Sequence, residues 1–232
     1  MCGIKIFPMG DGSAVRFAVR ELEHWGIAIA PELTEEVSHV LLDVPTKNTD
    51  FSKIPPKTVI IGGNLDGIPA DYSKVDLLRD AQYVSENAAL TADCALRLLG
   101  QHLPVAFQDC PILVIGWGRI GKCLALLLKH MGAKVSVAAR KPSDLGMLTA
   151  LGYNAVEIGM VDANCYRAIL NTAPAPVLGT GGNCIKIDLA SQLGMAGDDV
   201  IWARGLPGKM LPESSGALIA RAVLRYLKEG VK

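Results

Sequence analysis

The segment from residue 112 to residue 140 reads ILVIGWGRIGKCLALLLKHMGAKVSVAAR. Its first four residues, Ile112–Ile115, are apolar and run into three glycines spaced as Gly-x-Gly-x-x-Gly. An apolar pattern typical of a helix follows over residues 119–131, and a second apolar run covers Lys134–Ala139. Two short apolar runs on either side of a helical pattern predict a β-α-β unit with parallel, buried strands.

The three glycines of this unit predict a dinucleotide site. Gly116 permits a tight turn, Gly118 lets the backbone approach a pyrophosphate, and Gly121 allows close helix packing. The helix behind them directs unpaired N–H groups and the positive end of its dipole at the phosphates. In this position, between a strand and a helix, the motif is much more specific than it is alone. The turn residues predicted to bind the cofactor are Gly116, Trp117, Gly118, Arg119, Ile120 and Gly121.

The residues after the second strand favour NADP over NAD. An acidic residue at this point would accept hydrogen bonds from the ribose hydroxyls, but this chain has Arg140 and Lys141, with Ser143 just beyond. Two cations and a hydroxyl suit a 2′-phosphate. The alternative interpretation is that both cations are solvated loop charges.

The composition limits the partners and the compartment. The chain has 232 residues, with 23 basic and 23 acidic side chains and a formal net charge of zero. This balance gives no general attraction to nucleic acid or to a membrane, and we expect neither as a partner. Six cysteines are scattered without Cys-x-x-Cys pairs, so we expect reduced thiols in the cytoplasm and no metal site.

Strand and helix patterns alternate along the chain and predict an α/β fold of two Rossmann-like domains with parallel sheets. Residues 1–85 form the first, flavodoxin-like or Rossmann-like domain, and residues 86–103 form a long bridging helix with Ser85 as its N-cap. Residues 104–208 form the NADP-binding domain. Residues 209–232 carry a C-terminal helix that packs back on the first domain.

The remaining elements are predicted from apolar periodicity. Helices are expected at Ser13–Trp25 and Glu213–Glu229. Between Asn171 and Ile185 there are too few residues for a full crossover helix, so a loop must connect those strands. The other predicted strands are Gly3–Pro8, Ile27–Ala30, His39–Asp43, Thr58–Gly62, Ala155–Ile158, Ala168–Asn171, Ile185–Leu189 and Val200–Ala203.

Five motifs together resemble a known family, the A subunit of dipicolinate synthase. They follow the order of that family from about residue 78 to the C-terminus, whereas residues 1–77 resemble it only in architecture. The motifs are Ile115–Gly121, Val137–Leu145, Asn171–Pro174, Ile187–Ser191 and Gly205–Pro212.

The resemblance implies an NADP-dependent oxidoreductase of spore-forming bacteria that acts in sporulation. Such an enzyme makes dipicolinate from a dihydrodipicolinate-type precursor, beside a second, flavoprotein-like subunit. Its two domains would bind the cofactor and a small dicarboxylate-like substrate between them. We also expect a homodimer.

The substrate residues that the resemblance implies are only partly present. The family pattern near the bridging helix is Asn, Pro-Thr and Glu-Gly, of which Asn87 and Thr91 are retained. Asp93 replaces the glutamate and Cys94 replaces the glycine. The family's later Pro-Lys-Thr-Ala-Gly is Pro-Glu-Ser-Ser-Gly here, so an anion, Glu213, replaces a cation.

Asp93 and Asp188 are the two candidate catalytic residues, as acceptors of the proton that ring aromatisation releases. Asp93 lies on the bridging helix, but it can equally pair with Arg97 at position i+4. Asp188 ends an apolar strand at the edge where open α/β sheets bind ligands. Its alternative role is to cap the following loop.

Polar and loop residues at the same sheet edge complete the predicted site. Thr172 follows a strand and is expected to face the cofactor, as are Leu206 and Pro207. A substrate carboxylate is expected to meet the hydroxyls and the one cation of the remaining set. The substrate-binding candidates are Asn87, Thr91, Ser191, Lys209, Ser214 and Ser215.

Three functions follow from these patterns. The first is NADP-dependent oxidation of a dihydrodipicolinate-type compound. The second is a nonenzymatic, NADP-binding regulatory subunit, which the changes at Asp93, Cys94 and Glu213 favour. The third is a dehydrogenase for another small carboxylic acid. A 2-hydroxy-acid dehydrogenase would use a histidine after the cofactor domain, and this chain has none beyond His130.

Overall fold

The computed structural model describes residues 3–47, 50–177, 179 and 181–229. Cys2, one of the six cysteines, therefore lies outside the described residues. The chain divides into two units. One contains the residues up to Asn87 together with those from Pro207 onward, and the other contains Ala88–Leu206. Each unit is built on its own parallel sheet, which confirms the predicted fold class.

The sheet of the first unit has five parallel strands in the order β2-β1-β3-β4-β5. This is the flavodoxin-like order, in which the direction of winding reverses between β1 and β3. Helix α1, Ser13–His24, carries the chain from β1 to β2. The strands are β1 Lys5–Pro8, β2 Ala28–Ile29, β3 His39–Leu41, β4 Val59–Gly62 and β5 Lys74–Asp76. The sequence patterns predicted all but β5, which has a single apolar residue and therefore shows no period.

The C-terminal helix α6, Pro212–Glu229, packs against α1 at very short range. A β-carbon at Gly216 would lie 2.5 Å from Cβ of Phe17 and 2.6 Å from the carbonyl oxygen of Ala14. Real β-carbon contacts are longer, so only glycine at this position allows the two helices to approach so closely.

The sheet of the second unit has six parallel strands in the order β11-β10-β9-β6-β7-β8. This is the Rossmann order, and the direction of winding reverses between β6 and β9. The strands are β6 Pro111–Ile115, β7 Lys134–Ala139, β8 Asn154–Glu157, β9 Ala168–Asn171, β10 Ile185–Asp188 and β11 Val200–Trp202. The helices of this unit's Rossmann fold include α3 Arg119–His130 and α4 Pro142–Ala150. The short helix α5, Leu206–Met210, begins at the last residue of this unit, and its other residues belong to the first unit. As predicted, the described residues between β9 and β10 contain no helix.

The long helix α2 spans Ala81–His102 and begins five residues before the predicted start. Its N-cap is Asp80, because the backbone N–H of Tyr83 donates to Asp80 Oδ1 at 2.7 Å and Val84 N–H donates to the Asp80 carbonyl. The prediction of Ser85 as the cap is therefore wrong. Ser85 lies inside the helix, where its hydroxyl donates to the carbonyl of Ala81.

The carboxylate of Asp80 also joins α2 to α6. One guanidinium nitrogen of Arg225 lies 2.8 Å from each carboxylate oxygen of Asp80. Burial alone would raise the pKa of Asp80, but the hydrogen bonds from Tyr83 N–H and Arg225 outweigh it and leave the pKa below its ordinary value. This one side chain therefore caps a helix and fixes the C-terminal helix of the same unit.

Replacement of Asp80 by alanine should lower the free energy of unfolding by about 1–3 kcal/mol at neutral pH, since a helix cap and a charged hydrogen bond are lost. Because folding lowers the pKa of Asp80, this contribution is complete above the ordinary pKa of an aspartate. It is lost as the pH falls through the folded-state pKa. Urea unfolding of wild type and D80A at neutral pH and near pH ~3 measures both effects.

Asp71→Ala is the matched control, because Asp71 is an exposed aspartate of the same unit. This substitution should change the free energy of unfolding by no more than about 0.5 kcal/mol. A D80A effect equal to that of the control, or one that grows toward low pH, contradicts the assignment of Asp80.

Candidate dinucleotide site

The turn after β6 is shaped by the contact of two glycines. A β-carbon at Gly121 would collide with the carbonyl oxygen of Gly116, so α3 starts directly against the end of the strand. Gly116 itself has φ +101°, a conformation that side chains other than glycine rarely adopt. The turn is therefore compatible only with glycine at both ends of the motif.

Thr172 closes the same turn from the neighbouring strand. Its hydroxyl donates to the carbonyl of Ile115 at 2.9 Å, and its backbone N–H donates to the same oxygen at 2.8 Å. A β-carbon at Gly116 would lie 2.6 Å from Thr172 Oγ1. Since β6 and β9 are the strands between which the winding reverses, these residues line the position where open α/β sheets bind ligands.

Gly118 is open where the other two glycines are packed. No atom lies within 4 Å of the position that its β-carbon would take. Gly118 is the N-cap of α3 and no side chain caps this helix, so the first turn offers its N–H groups outward. A cavity of about 490 Å³ lies here, lined by Gly118, Arg119, Ile120, Lys122 and Thr172. These features fit a pyrophosphate.

Trp117 does not line this cavity, and its ring instead makes contacts that hold the turn. Its ring meets the ring of Tyr153 edge-on, with centroids 5.6 Å apart, and the ammonium of Lys122 lies 5.7 Å from the indole. Lys129 in turn lies 4.6 Å from the Tyr153 ring centroid and donates to the carbonyl of Leu151. The contacts of Trp117 thus connect the glycine turn to the residues after α4.

The three residues predicted to select NADP lie together at the end of β7. Arg140, Lys141 and Ser143 are all exposed, and Lys141 is the N-cap of α4 without a side-chain cap. Among the residues that the structure describes, neither cation has a carboxylate within ion-pair distance. Both charges are therefore available to an anion.

Asp188 is completely buried and its carboxyl group is surrounded by donors. Oδ1 accepts from the N–H of Ala190 at 2.9 Å. Oδ2 accepts from the N–H groups of Gly194 and Met195 at 2.8 and 3.1 Å. This geometry favours the alternative role of Asp188 as the residue that organises the loop after β10.

Asn171 is the partner of Asp188. The sequence analysis named it as the start of a motif but did not count it among the site residues. Its amide donates to Asp188 Oδ2 and to the carbonyl of Ala173, both at 3.0 Å, and its Oδ1 accepts from Ala173 N–H. It is as buried as Asp188. The available signal was that two adjacent apolar strands, β9 and β10, both end in a polar residue.

The other candidate base, Asp93, is paired. The guanidinium of Arg97 donates to both of its carboxylate oxygens, at 3.1 and 3.2 Å. With 3.6 residues per turn, Asp93 also lies on the opposite side of α2 from Thr91 and Asn87. Burial raises the pKa of Cys94 to about 11, so this thiol stays protonated at neutral pH.

The remaining predicted residues differ in exposure. Thr91, Ser215, Leu206 and Pro207 are buried, and Asn87 is half-buried. Ser191, Lys209 and Ser214 are exposed, with Lys209 in α5 and Ser214 in the first turn of α6. The exposed three are accessible to a ligand.

Neither a membrane-spanning helix nor a metal site is found in the described part of the chain. No helix within it is both long and apolar enough to cross a membrane. No group of histidine, cysteine, aspartate and glutamate side chains within it could hold a metal ion.

Comparison with known proteins adds a relative. No family model matches the chain. It is 24% identical over 209 residues to the A subunit of dipicolinate synthase from Bacillus subtilis, a match that covers 81% of this chain and 70% of the relative.

Two solved structures share the fold. The crystal structure of the dipicolinate synthase A subunit from Bacillus halodurans aligns with a TM-score of 0.84 at 19% identity, covering 97% of this chain and 98% of that one. A transhydrogenase from Sinorhizobium meliloti aligns with a TM-score of 0.74 at 14% identity, covering 97% of this chain and 84% of that one. The sequence match and the fold together confirm the resemblance that the motifs indicated: the chain is related to the family of dipicolinate synthase A subunits.

Proposed function

We propose that the protein is an NADP-dependent oxidoreductase that oxidises a small dihydrodipicolinate-type dicarboxylate. The single observation that carries the proposal is the glycine turn at the reversal point of the second sheet. There, Gly118 faces open space at an uncapped helix N-terminus. An N–H-lined turn at this point of a Rossmann sheet binds the pyrophosphate of a dinucleotide.

NADP is the proposed form because of the charges after β7. Arg140 and Lys141 are exposed cations without described carboxylate partners, and Ser143 adds a hydroxyl. A guanidinium and an ammonium would bind a 2′-phosphate by charge-assisted hydrogen bonds. The nicotinamide, when bound, supplies the acceptor for a hydride.

The reaction removes a hydride and a proton from the dihydro ring, which becomes aromatic, and yields NADPH and a released proton. Asp93 is bound by Arg97 and Asp188 is buried among donors, so neither is our proposed acceptor. Water takes the proton, and the protein contributes binding and orientation. The exposed Ser191, at the carboxyl edge of the sheet that holds the glycine turn, is proposed to contact the substrate. Lys209 and Ser214, which belong to the other unit, remain predictions from the sequence.

The resemblance supplies the remaining parts of the proposal. The relative is one subunit of a synthase, so we propose that a second, flavoprotein-like subunit is the partner of this chain. We also propose a homodimer that acts in the cytoplasm during sporulation, where the free thiols of the described cysteines stay reduced.

Gly118→Ala should weaken NADP binding by about ten- to a hundredfold while leaving the melting temperature unchanged. The added methyl group occupies space meant for the pyrophosphate and touches no protein atom. Titration of the purified protein with NADP, together with thermal unfolding, measures both quantities. Gly159→Ala is the control, since Gly159 also faces open space but lies outside the turn. Equal NADP affinity in G118A and wild type contradicts the site.

The double variant Arg140→Gln with Lys141→Gln should bind NADP about tenfold or more weakly and NAD nearly unchanged, because only NADP carries the 2′-phosphate. Parallel titrations of wild type and variant with the two cofactors give the ratio of NADP affinity to NAD affinity for each protein. Lys134→Gln, at the other end of β7, controls for the loss of a positive charge. A wild-type protein that binds NAD more tightly than NADP excludes the proposed preference.

The activity is tested by incubating the chain with NADP and a dihydrodipicolinate-type compound, with and without a flavoprotein-like partner. Formation of NADPH, followed by its absorbance, is the expected result. Tight NADP binding without turnover under either condition would instead identify a regulatory, NADP-binding subunit.

A further inference from the structure

An arginine after the last strand is held on an aromatic surface. The guanidinium carbon of Arg204 lies 5.3 Å from the ring centre of Trp202, the last residue of β11. Trp202 is 47% exposed, although a large aromatic side chain would usually be buried. Neither residue was singled out by the sequence analysis, which considered Lys209 as the available cation.

The indole is fixed in position by the loop after β10. Its Nε1–H donates to the carbonyl of Ala190 at 3.1 Å, and the neighbouring Ala203 N–H donates to the carbonyl of Asp188 at 2.8 Å. Asp188 also holds the N–H of Ala190. The surface under Arg204 is therefore part of the same hydrogen-bonded loop that the buried carboxyl group organises.

A guanidinium over an indole keeps its N–H donors available at its edge. The planar group is attracted by the ring face, and its five donors remain directed in its own plane. Such a fork matches both oxygens of a carboxylate, whereas a lysine offers only a point charge. Lys209 is exposed on the short helix α5 and has no aromatic contact among the described residues.

Arg204 has no acidic partner among the residues that the structure describes, although other cations of the same unit are paired. Lys186 lies 2.7 Å from Asp199, and Arg97 binds Asp93. Arg204 follows β11 at the carboxyl edge of the sheet, which is the edge that binds ligands in open α/β sheets. The exposed Ser191 follows Ala190 at the same edge.

We propose that Arg204, oriented by Trp202, binds one carboxylate of the substrate and selects for dicarboxylates. This inference rests on the proposed function and assigns a residue to substrate recognition within it. Ser191, which is exposed and follows the Ala190 that holds the indole, is included in the proposal as a second donor to the same group.

Isothermal titration of the full chain, loaded with NADP, tests the assignment with two probes. These are pyridine-2,6-dicarboxylate and pyridine-2-carboxylate. Arg204→Met should weaken binding of the dicarboxylate by about tenfold or more, and Arg204→Lys should recover part of this loss, since it restores the charge without the fork. The monocarboxylate should bind more weakly to wild type and respond less to the substitution. NADP affinity and the melting temperature should stay unchanged in both variants.

Arg167→Met is the matched control, because Arg167 is an exposed arginine just before β9, at the opposite edge of the same sheet. It should leave dicarboxylate binding unchanged. An effect of R167M as large as that of R204M would show a general charge effect and overturn the assignment.

The two proposals fail in different ways. If wild type oxidises the dihydro compound with NADP but R204M binds the dicarboxylate as well as wild type does, the role of Arg204 is wrong and the proposed function stands. Absence of dicarboxylate binding to an active wild type also overturns the role of Arg204. If wild type binds neither NADP nor the dicarboxylate, the proposed function itself fails.

Discussion

The cofactor site depends on a backbone contact between two glycines. Because neither Gly116 nor Gly121 has a side chain, the start of α3 rests against the carbonyl oxygen at the end of β6. That contact fixes the direction of the helix and therefore the direction in which its uncapped N–H groups point. Thr172, which follows β9, supports the same turn through a second contact, because its hydroxyl donates to the carbonyl of Ile115. A larger residue at either glycine would move the helix away from the reversal point of the sheet.

A buried polar pair performs a similar task on the other side of that point. The chain between β9 and β10 is too short for a crossover helix, so the loops after both strands need another support. Asn171 and Asp188 provide it, because each accepts and directs backbone groups of its own loop and the two side chains bond to each other. A buried carboxyl group with four donors is stable only as a complete network. Because no crossover helix fits between β9 and β10, the carboxyl group of Asp188 has a structural role in supporting the loop.

The sequence predicted the features that are local. The glycine turn, both parallel sheets and ten of the eleven strands that the structure describes follow from short-range patterns. The lack of a helix among the described residues before Ile185 follows from them as well. The features that the sequence did not predict involve contacts between residues that are distant in sequence. The start of α2 is set by the cap at Asp80, whose carboxylate is also bound by Arg225, 145 residues away, and apolar periodicity contains no information about either contact. The aromatic support of Arg204 likewise needs the carbonyl of Ala190, which belongs to the preceding loop.

The cations at the carboxyl edge of the second sheet lie on both sides of the reversal point. Arg140 and Lys141 follow β7, and Arg204 follows β11, with β6, β9 and β10 between them. Neighbouring strands are spaced by roughly 4.8 Å, so four spacings separate these positions by about 19 Å. One phosphate or carboxylate cannot contact both groups over that distance. The two anion positions proposed for this edge are therefore separate, with the glycine turn between them. That separation is consistent with the proposal that one holds the 2′-phosphate of NADP and the other a carboxylate of the substrate.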